Sequence, residues 1–258
     1  MQQSRIKSLE KIGSVDIVAL EDQNVDAMSA RKYEFAPNAK LYTSVDELFQ
    51  IEELDFVDIL TPPQYHAEIC AKAKSKNLHI ICQKPICYNL HDAKQLVNAM
   101  EDHDKLFAIH ENHRFRSWFQ NVIEKHQQGF FGRVHYVRWF QHNPFDPSVT
   151  YKLKMDPGIL LEHGTHLVDM ARALIGEPER VYARLNHLNP IITGESLAYL
   201  VIEYPESTAI IEVAWKPGGF QQAGFVIEGE EGEAYFSGSM VRSENSEFQI
   251  SKGKNIVL

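Results

Sequence analysis

The sequence predicts an α/β protein in two parts: a parallel-sheet domain over residues 1–110, followed over 111–258 by an α+β domain with an open, mostly antiparallel sheet. Three observations carry this prediction. Short β-rich apolar runs alternate with amphipathic helical patterns up to about residue 111. Beyond that point strand patterns follow one another with little helix between them. Two of those later pairs flank the turn sequences "PEST" and "EGEEG", with period-two alternation on either side, as hairpins do.

In the first part, "VDIVAL" (15–20), "DFVDIL" (55–60), "HIIC" (79–82) and "LFAIH" (106–110) read as strands. Between them, "NVDAMSARKYEF", "QYHAEICAKAKSKN" and "NLHDAKQLVNAMEDH" carry apolar residues at helical spacing. Asn89 is placed to cap the last of these, and Pro62-Pro63 forces a turn before the second. Strands alternating with helices imply right-handed parallel βαβ units. In the second part a helix over "SWFQNVIEKHQQG" precedes the strand "RVHYVRWFQH", and a second helix spans "GILLEHGTHLVDMARALIG". The strands "RVYARLNHL", "SLAYLVIEYP", "STAIIEVAWK", "GFVIEGEEG" and "EAYFSG" complete it.

A formal net charge of -9 argues against nucleic acid or an anionic membrane surface as partner, since both need a basic footprint. The N-terminal "MQQSRIKSLEK" lacks the apolar core of a signal peptide, and no apolar run is long enough to cross a bilayer. Three cysteines, Cys70, Cys82 and Cys87, cannot all pair and read as reduced thiols. The expectation is a soluble cytoplasmic protein.

Candidate site residues fall at strand ends and on one helix. Lys84-Pro85 ends the buried run "HIIC", at the carboxyl edge where an open α/β sheet keeps its ligand crevice. A snorkelling lysine, stem buried and ammonium wet, is the alternative reading. "ENHRF" (111–115) falls at the same edge, where Asn112 and Arg114 could bind oxygen-rich groups, or Arg114 could simply tie the two domains together. Thr61-Pro62-Pro63 with His66 forms another strand-end turn, whose prolines rigidity alone would explain. On the second-domain helix, Glu162, Thr165, His166, Asp169 and Arg172 share one stripe at about 100° per residue. Glu162 four residues before His166 could orient the ring and raise its basicity; a merely solvated face is the alternative. Glu162, His163 and His166 do not make a good metal set, because His163 lies about 100° from Glu162, so no metal is expected.

Together, "CQKP", "LTPPQYH" before it, "NHRF" after it and "GILLEHGTHLVDMARALIG" resemble, in order and spacing, the Gfo/Idh/MocA family of NAD(P)-dependent oxidoreductases, over nearly the whole chain. The resemblance implies a Rossmann-type domain joined to an open antiparallel-sheet domain. It implies catalytic roles for Lys84 and His166, with Glu162 at the acidic position of the helix motif. Asp22, Thr61, Pro62, His66, Lys84 and Pro85 would bind the cofactor, and Asn112, Arg114 and Asp169 the substrate. The cofactor is NAD or NADP, with NAD favoured because a carboxylate at Asp22 accepts the ribose 2′-OH and repels a 2′-phosphate.

Several features depart from the family pattern. Gln83 replaces the glutamate before the lysine, Glu162 is one methylene longer than the usual aspartate, and Asp156-Pro157-Gly158 stands for a glycine pair. The only glycine before residue 129 is Gly13, and "SRIKSLEKIG" (4–13) matches the family's first helix. The opening strand and its phosphate-binding loop are therefore expected to be missing, leaving an incomplete Rossmann-type sheet and weak or absent cofactor binding. The closing helical segment is also expected to be missing after "SKGKNIVL". The expected function is hydride transfer between nicotinamide and a sugar, cyclitol or related polyol, by a homo-oligomer formed through the C-terminal sheet. The alternative is a degenerate relative that binds a sugar-like ligand or a protein partner without redox chemistry.

Overall fold

The structure, a computed structural model, describes residues 6, 8, 9, 11–238, 247–253, 255 and 256. Its contacts divide the chain into two compact units, Met1–His110 and Glu111–Leu258.

In the first unit the strands are β1 (Ala19–Glu21), β2 (Lys40–Tyr42), β3 (Phe56–Ile59), β4 (His79–Cys82) and β5 (Phe107–Ile109). They alternate with helices α1 (Val25–Phe35), α2 (Val45–Ile51), α3 (His66–Ser75) and α4 (Leu90–Met100). Capping side chains start three of these helices: Asn24, Ser44 and Asn89 accept backbone N–H groups of Ala27, Glu47 and Asp92. Of the helix expected over 4–13, residues 6, 8, 9, 11 and 12 are helical, while 4, 5, 7 and 10 lie outside the described residues.

All the pairings here are parallel, yet they form two sheets: β1 with β2, and β3-β4-β5. Among the described residues no strand joins β1 to β3. β1 takes in only two of the six residues expected to be extended, Ala19 and Leu20, with Glu21 after them, and Val18 just before it is 40% exposed. Both sheets nonetheless rest on one apolar core, in which Tyr42, Leu48 and Phe49 pack with Ile59, Ile69, Ile80 and Cys82. All three cysteines are buried and free. Cys82 is held in its thiol form, chiefly by a hydrogen bond with Cys70 and then by burial.

The second unit is built on one large sheet of strands β6 (Val134–Pro144), β7 (Arg180–Asn186), β8 (Leu197–Glu203), β9 (Thr208–Lys216), β10 (Gln222–Gly229), β11 (Gly232–Ser237), β12 (Glu247–Lys252) and β13 (Asn255–Ile256). Its order is β13-β12-β11-β10-β6-β9-β8-β7, antiparallel except for β6 against β9. The pairs around "PEST" and "EGEEG" are antiparallel hairpins. The helices are α5 (Ser117–Gln127), a short α6 (Thr150–Leu153) and α7 (Thr165–Ile175), with a π turn over Leu160–Gly164 leading into α7. Inward residues Trp139, Ile211, Val213 and Phe225 pack with Phe119, Leu167 and Met170 in a continuous core. Among the described residues no helix is long and apolar enough to cross a membrane.

The end of β10 carries an irregular register at Glu228/Gly229, where a Cβ on Gly229 would lie 2.2 Å from the Phe131 carbonyl oxygen. The obstacle is backbone, which cannot swing aside. Gly229→Ala is therefore expected to destabilise the protein by about 2–3 kcal/mol, read as a lower urea midpoint at unchanged m-value.

Candidate active site

The site in the second unit begins with how the chain enters α7. The connection after β7 turns back at Asn189–Ser196, and there Glu195 is buried. Its two carboxylate oxygens accept the N–H groups of Gly158 and Leu160, each at 2.9 Å, and its carbonyl accepts the N–H of Ile159 at 3.0 Å. A Cβ on Gly158 would sit 2.2 Å from that carbonyl, so the glycine left in "DPG" is the one whose close approach the strap requires. Past it the backbone widens into the π turn, with the Thr165 N–H bonding the Leu160 carbonyl, before regular α7 begins.

This entry places Glu162 and His166 in the interior, each 6% exposed, so the solvated-face reading of the stripe fails for both. The Tyr151 hydroxyl donates to Glu162 Oε1 at 3.0 Å, and the Lys152 ammonium lies 3.5 Å from the same oxygen. The carboxylate that meets His166 Nδ1 is Glu111. His113 stacks on His166 with ring centroids 3.9 Å apart, and its own Nδ1 faces Asn112 Oδ1 at 3.2 Å. Glu111, His113, Tyr151 and Lys152 were not selected from the sequence. Glu111 and His113 lay inside the quoted motif "ENHRF", and 55 residues separate Glu111 from His166. His163 packs edge-on to Trp215, with ring centroids 5.9 Å apart.

Arg114 and Asp169, both expected to bind substrate, bind each other. Arg114 Nε donates to Asp169 Oδ2 at 2.7 Å and Nη2 to Oδ1, a two-pronged pair that raises the guanidinium pKa further. Both residues belong to the second unit, where this pair ties the turn 112–115 to α7.

In the first unit, Asp22 follows β1, Thr61-Pro62 follows β3 and Lys84-Pro85 follows β4, so all lie at the carboxyl ends of parallel strands. Asp22 Oδ1 accepts the Asn24 N–H at 2.8 Å. Lys84 is buried at 7% exposure, and its backbone N–H donates to Gln83 Oε1 at 2.9 Å, which gives the substituted glutamine a local role. His66 corrects an expectation. Its ring is fully buried between the carbonyls of Thr61 (2.9 Å) and Ile86 (3.0 Å), so it holds the two strand-end loops together and does not present its ring to a ligand. Residues 14–128 contain no glycine, so they supply no glycine cradle for the phosphates of a dinucleotide.

Two family models match. One, described as the oxidoreductase family's NAD-binding Rossmann fold, covers residues 1–111; the other, the GFO/IDH/MocA C-terminal domain, covers 119–235. Among related sequences, a D-apiose dehydrogenase of Rhizobium rhizogenes is 30% identical over 67% of this chain and 51% of its own length. A myo-inositol 2-dehydrogenase of Thermotoga maritima is 29% identical over 69% of this chain and 53% of its own length. The chain thus spans about half the length of the curated relatives it matches. An oxidoreductase from Agrobacterium radiobacter, solved with NAD+, L-tartaric acid and magnesium, superposes with TM-score 0.89 at 24% identity, covering 99% of this chain and 75% of the other. The WlbA dehydrogenase of Bordetella pertussis, solved with NADH and UDP-GlcNAcA, gives 0.85 at 21%, covering 96% and 78%.

Replacing Glu195 by alanine strands the buried N–H groups of Gly158 and Leu160. We expect a loss of about 2–4 kcal/mol by thermal unfolding, with faster amide exchange at those two residues. Glu195→Gln, which keeps one acceptor oxygen, should lose less.

Proposed function

The chain belongs to the Gfo/Idh/MocA family of oxidoreductases, and from that premise we propose that it catalyses or supports oxidation of an uncharged polyol or sugar hydroxyl with a nicotinamide cofactor. The observation that carries this reading is the His166 cluster: an imidazole 6% exposed, in contact with a carboxylate and stacked on a second imidazole, on the helix that bears the family motif. Such an imidazole can take a hydroxyl proton as the carbon is oxidised. The nicotinamide, when bound, supplies the hydride acceptor. Asp22, Thr61, Pro62, Lys84 and Pro85 are the residues proposed to hold it, with NAD favoured through Asp22. Lys84 is proposed to bind the substrate oxygen through its ammonium group.

In the second-unit cluster Arg114 is paired with Asp169, Lys152 with Glu162 and His166 with Glu111. Substrate hydroxyl groups can donate to such carboxylates. Myo-inositol, D-apiose and levoglucosan, named for the dehydrogenases this chain resembles, are the natural first panel.

Self-association through the second-unit sheet belongs to the same proposal. Tyr199, Val201, Ile210, Phe140, Val226 and Tyr235 lie in paired register on the face opposite the helix-packed core, with the Arg138–Glu212 ion pair among them. An apolar face with an ion pair among its side chains suits a second copy of the same surface. A dimer mass by light scattering that falls to monomer in Ile210→Glu is the expected result.

Titrating NADH and NADPH while following nicotinamide fluorescence tests the cofactor. We expect saturable binding that favours NADH. No saturation at millimolar cofactor would favour a ligand-binding relative without redox chemistry. His166→Ala should lower turnover on the panel by about 10²- to 10⁴-fold while leaving cofactor binding in place.

A further inference from the structure

Glu111 opens the turn that follows β5 and precedes α5, and its carboxylate meets His166 Nδ1. The side chains are 18% and 7% exposed, so water competes weakly for the contact. We propose that Glu111 is the positioning residue for His166: it accepts the Nδ1–H, fixes that tautomer, and leaves proton exchange with the substrate to Nε2. The inference rests on the proposed role of His166 as proton acceptor.

Three features of the surroundings favour this over a simple structural tie. The turn is already fastened to α7 by the two-pronged Arg114–Asp169 pair, so the Glu111 contact is not needed to hold it there. Glu162 bonds Tyr151 and faces Lys152, which offsets its charge. His113, oriented by Asn112 at 3.2 Å, stacks against the His166 ring and limits its rotation. A ring fixed in its plane by stacking and in its tautomer by a carboxylate presents Nε2 in a single direction.

The test is tautomer assignment by ¹⁵N-histidine NMR on the full chain, at a pH above imidazole titration. The expected result is His166 as the Nδ1–H tautomer, persisting in Glu111→Gln, whose amide oxygen still accepts, and giving way in Glu111→Ala to the ordinary mixture in which Nε2–H predominates. In the panel assay Glu111→Ala should lower kcat by about 10- to 100-fold with KM little changed, and Glu111→Gln should retain more activity. An Nε2–H wild-type ring, or an unaltered tautomer in Glu111→Ala, overturns the proposal, and the wild-type spectrum decides even where that variant does not fold. A protein showing the expected tautomers but no turnover on the panel supports the orientation by Glu111 and counts instead against the proposed reaction.

Discussion

Glu195 sits in the connection between β7 and β8, and its carboxylate takes the N–H groups of Gly158 and Leu160 where the chain turns into α7. The first N–H groups of a helix have no partners within it, so a helix starting inside a core must find acceptors elsewhere. Here one buried carboxylate serves two of them, and its charge complements the positive end of the helix. The neighbouring strands hold Glu195 in turn: Ser196 Oγ accepts the N–H groups of Leu188 and Asn189, and its carbonyl accepts that of Trp215. The position of the π turn, and with it of Glu162 and His166, thus traces back to the sheet. Gly194 and Gly158 permit this closeness, since a Cβ on Gly194 would lie 2.5 Å from the Met155 carbonyl oxygen.

With the helix start fixed, the ionisable groups arrange themselves by pairing. Burying an unpaired charge is costly, and nearby partners reduce that cost at short range. Asp169 has Arg114, Glu162 has Tyr151 and Lys152, and Glu111 has His166. Of these pairings, only the last joins a carboxylate to an imidazole, the side chain proposed as the proton acceptor.

Much of this architecture was legible from local pattern. "HIIC" reads as a strand over the residues that form β4, because a four-residue apolar run ended by Gln-Lys-Pro has clear limits on both sides. The two hairpins were legible because alternation and turn chemistry agree. The short β2 and α2 escaped notice: three residues, "KLY", carry no periodicity, and the seven of "VDELFQI" barely make two turns. The α-helical wheel pairs Glu162 with His166, and that geometry takes no account of the π turn or of Tyr151 and Lys152. Glu111 was missed for a different reason. A contact across 55 residues leaves no local trace in a single sequence, and only the meeting of the turn with α7 reveals it.

The split parallel sheet bears on the proposed cofactor site through mechanics. In a continuous parallel sheet, ladder hydrogen bonds fix the spacing between strand ends, and residues carried there inherit that rigidity. In this chain Asp22 ends a strand of one sheet, while Thr61 and Lys84 end strands of the other. What connects the two sheets is side-chain packing: Leu48 and Phe49 of α2 share a core with Ile59, Ile69 and Ile80. Packing of this kind resists compression but gives more readily to sliding than a hydrogen-bonded ladder. The nicotinamide-side loops are held more firmly, since β3 and β4 are directly bonded and His66 bridges the Thr61 and Ile86 carbonyls.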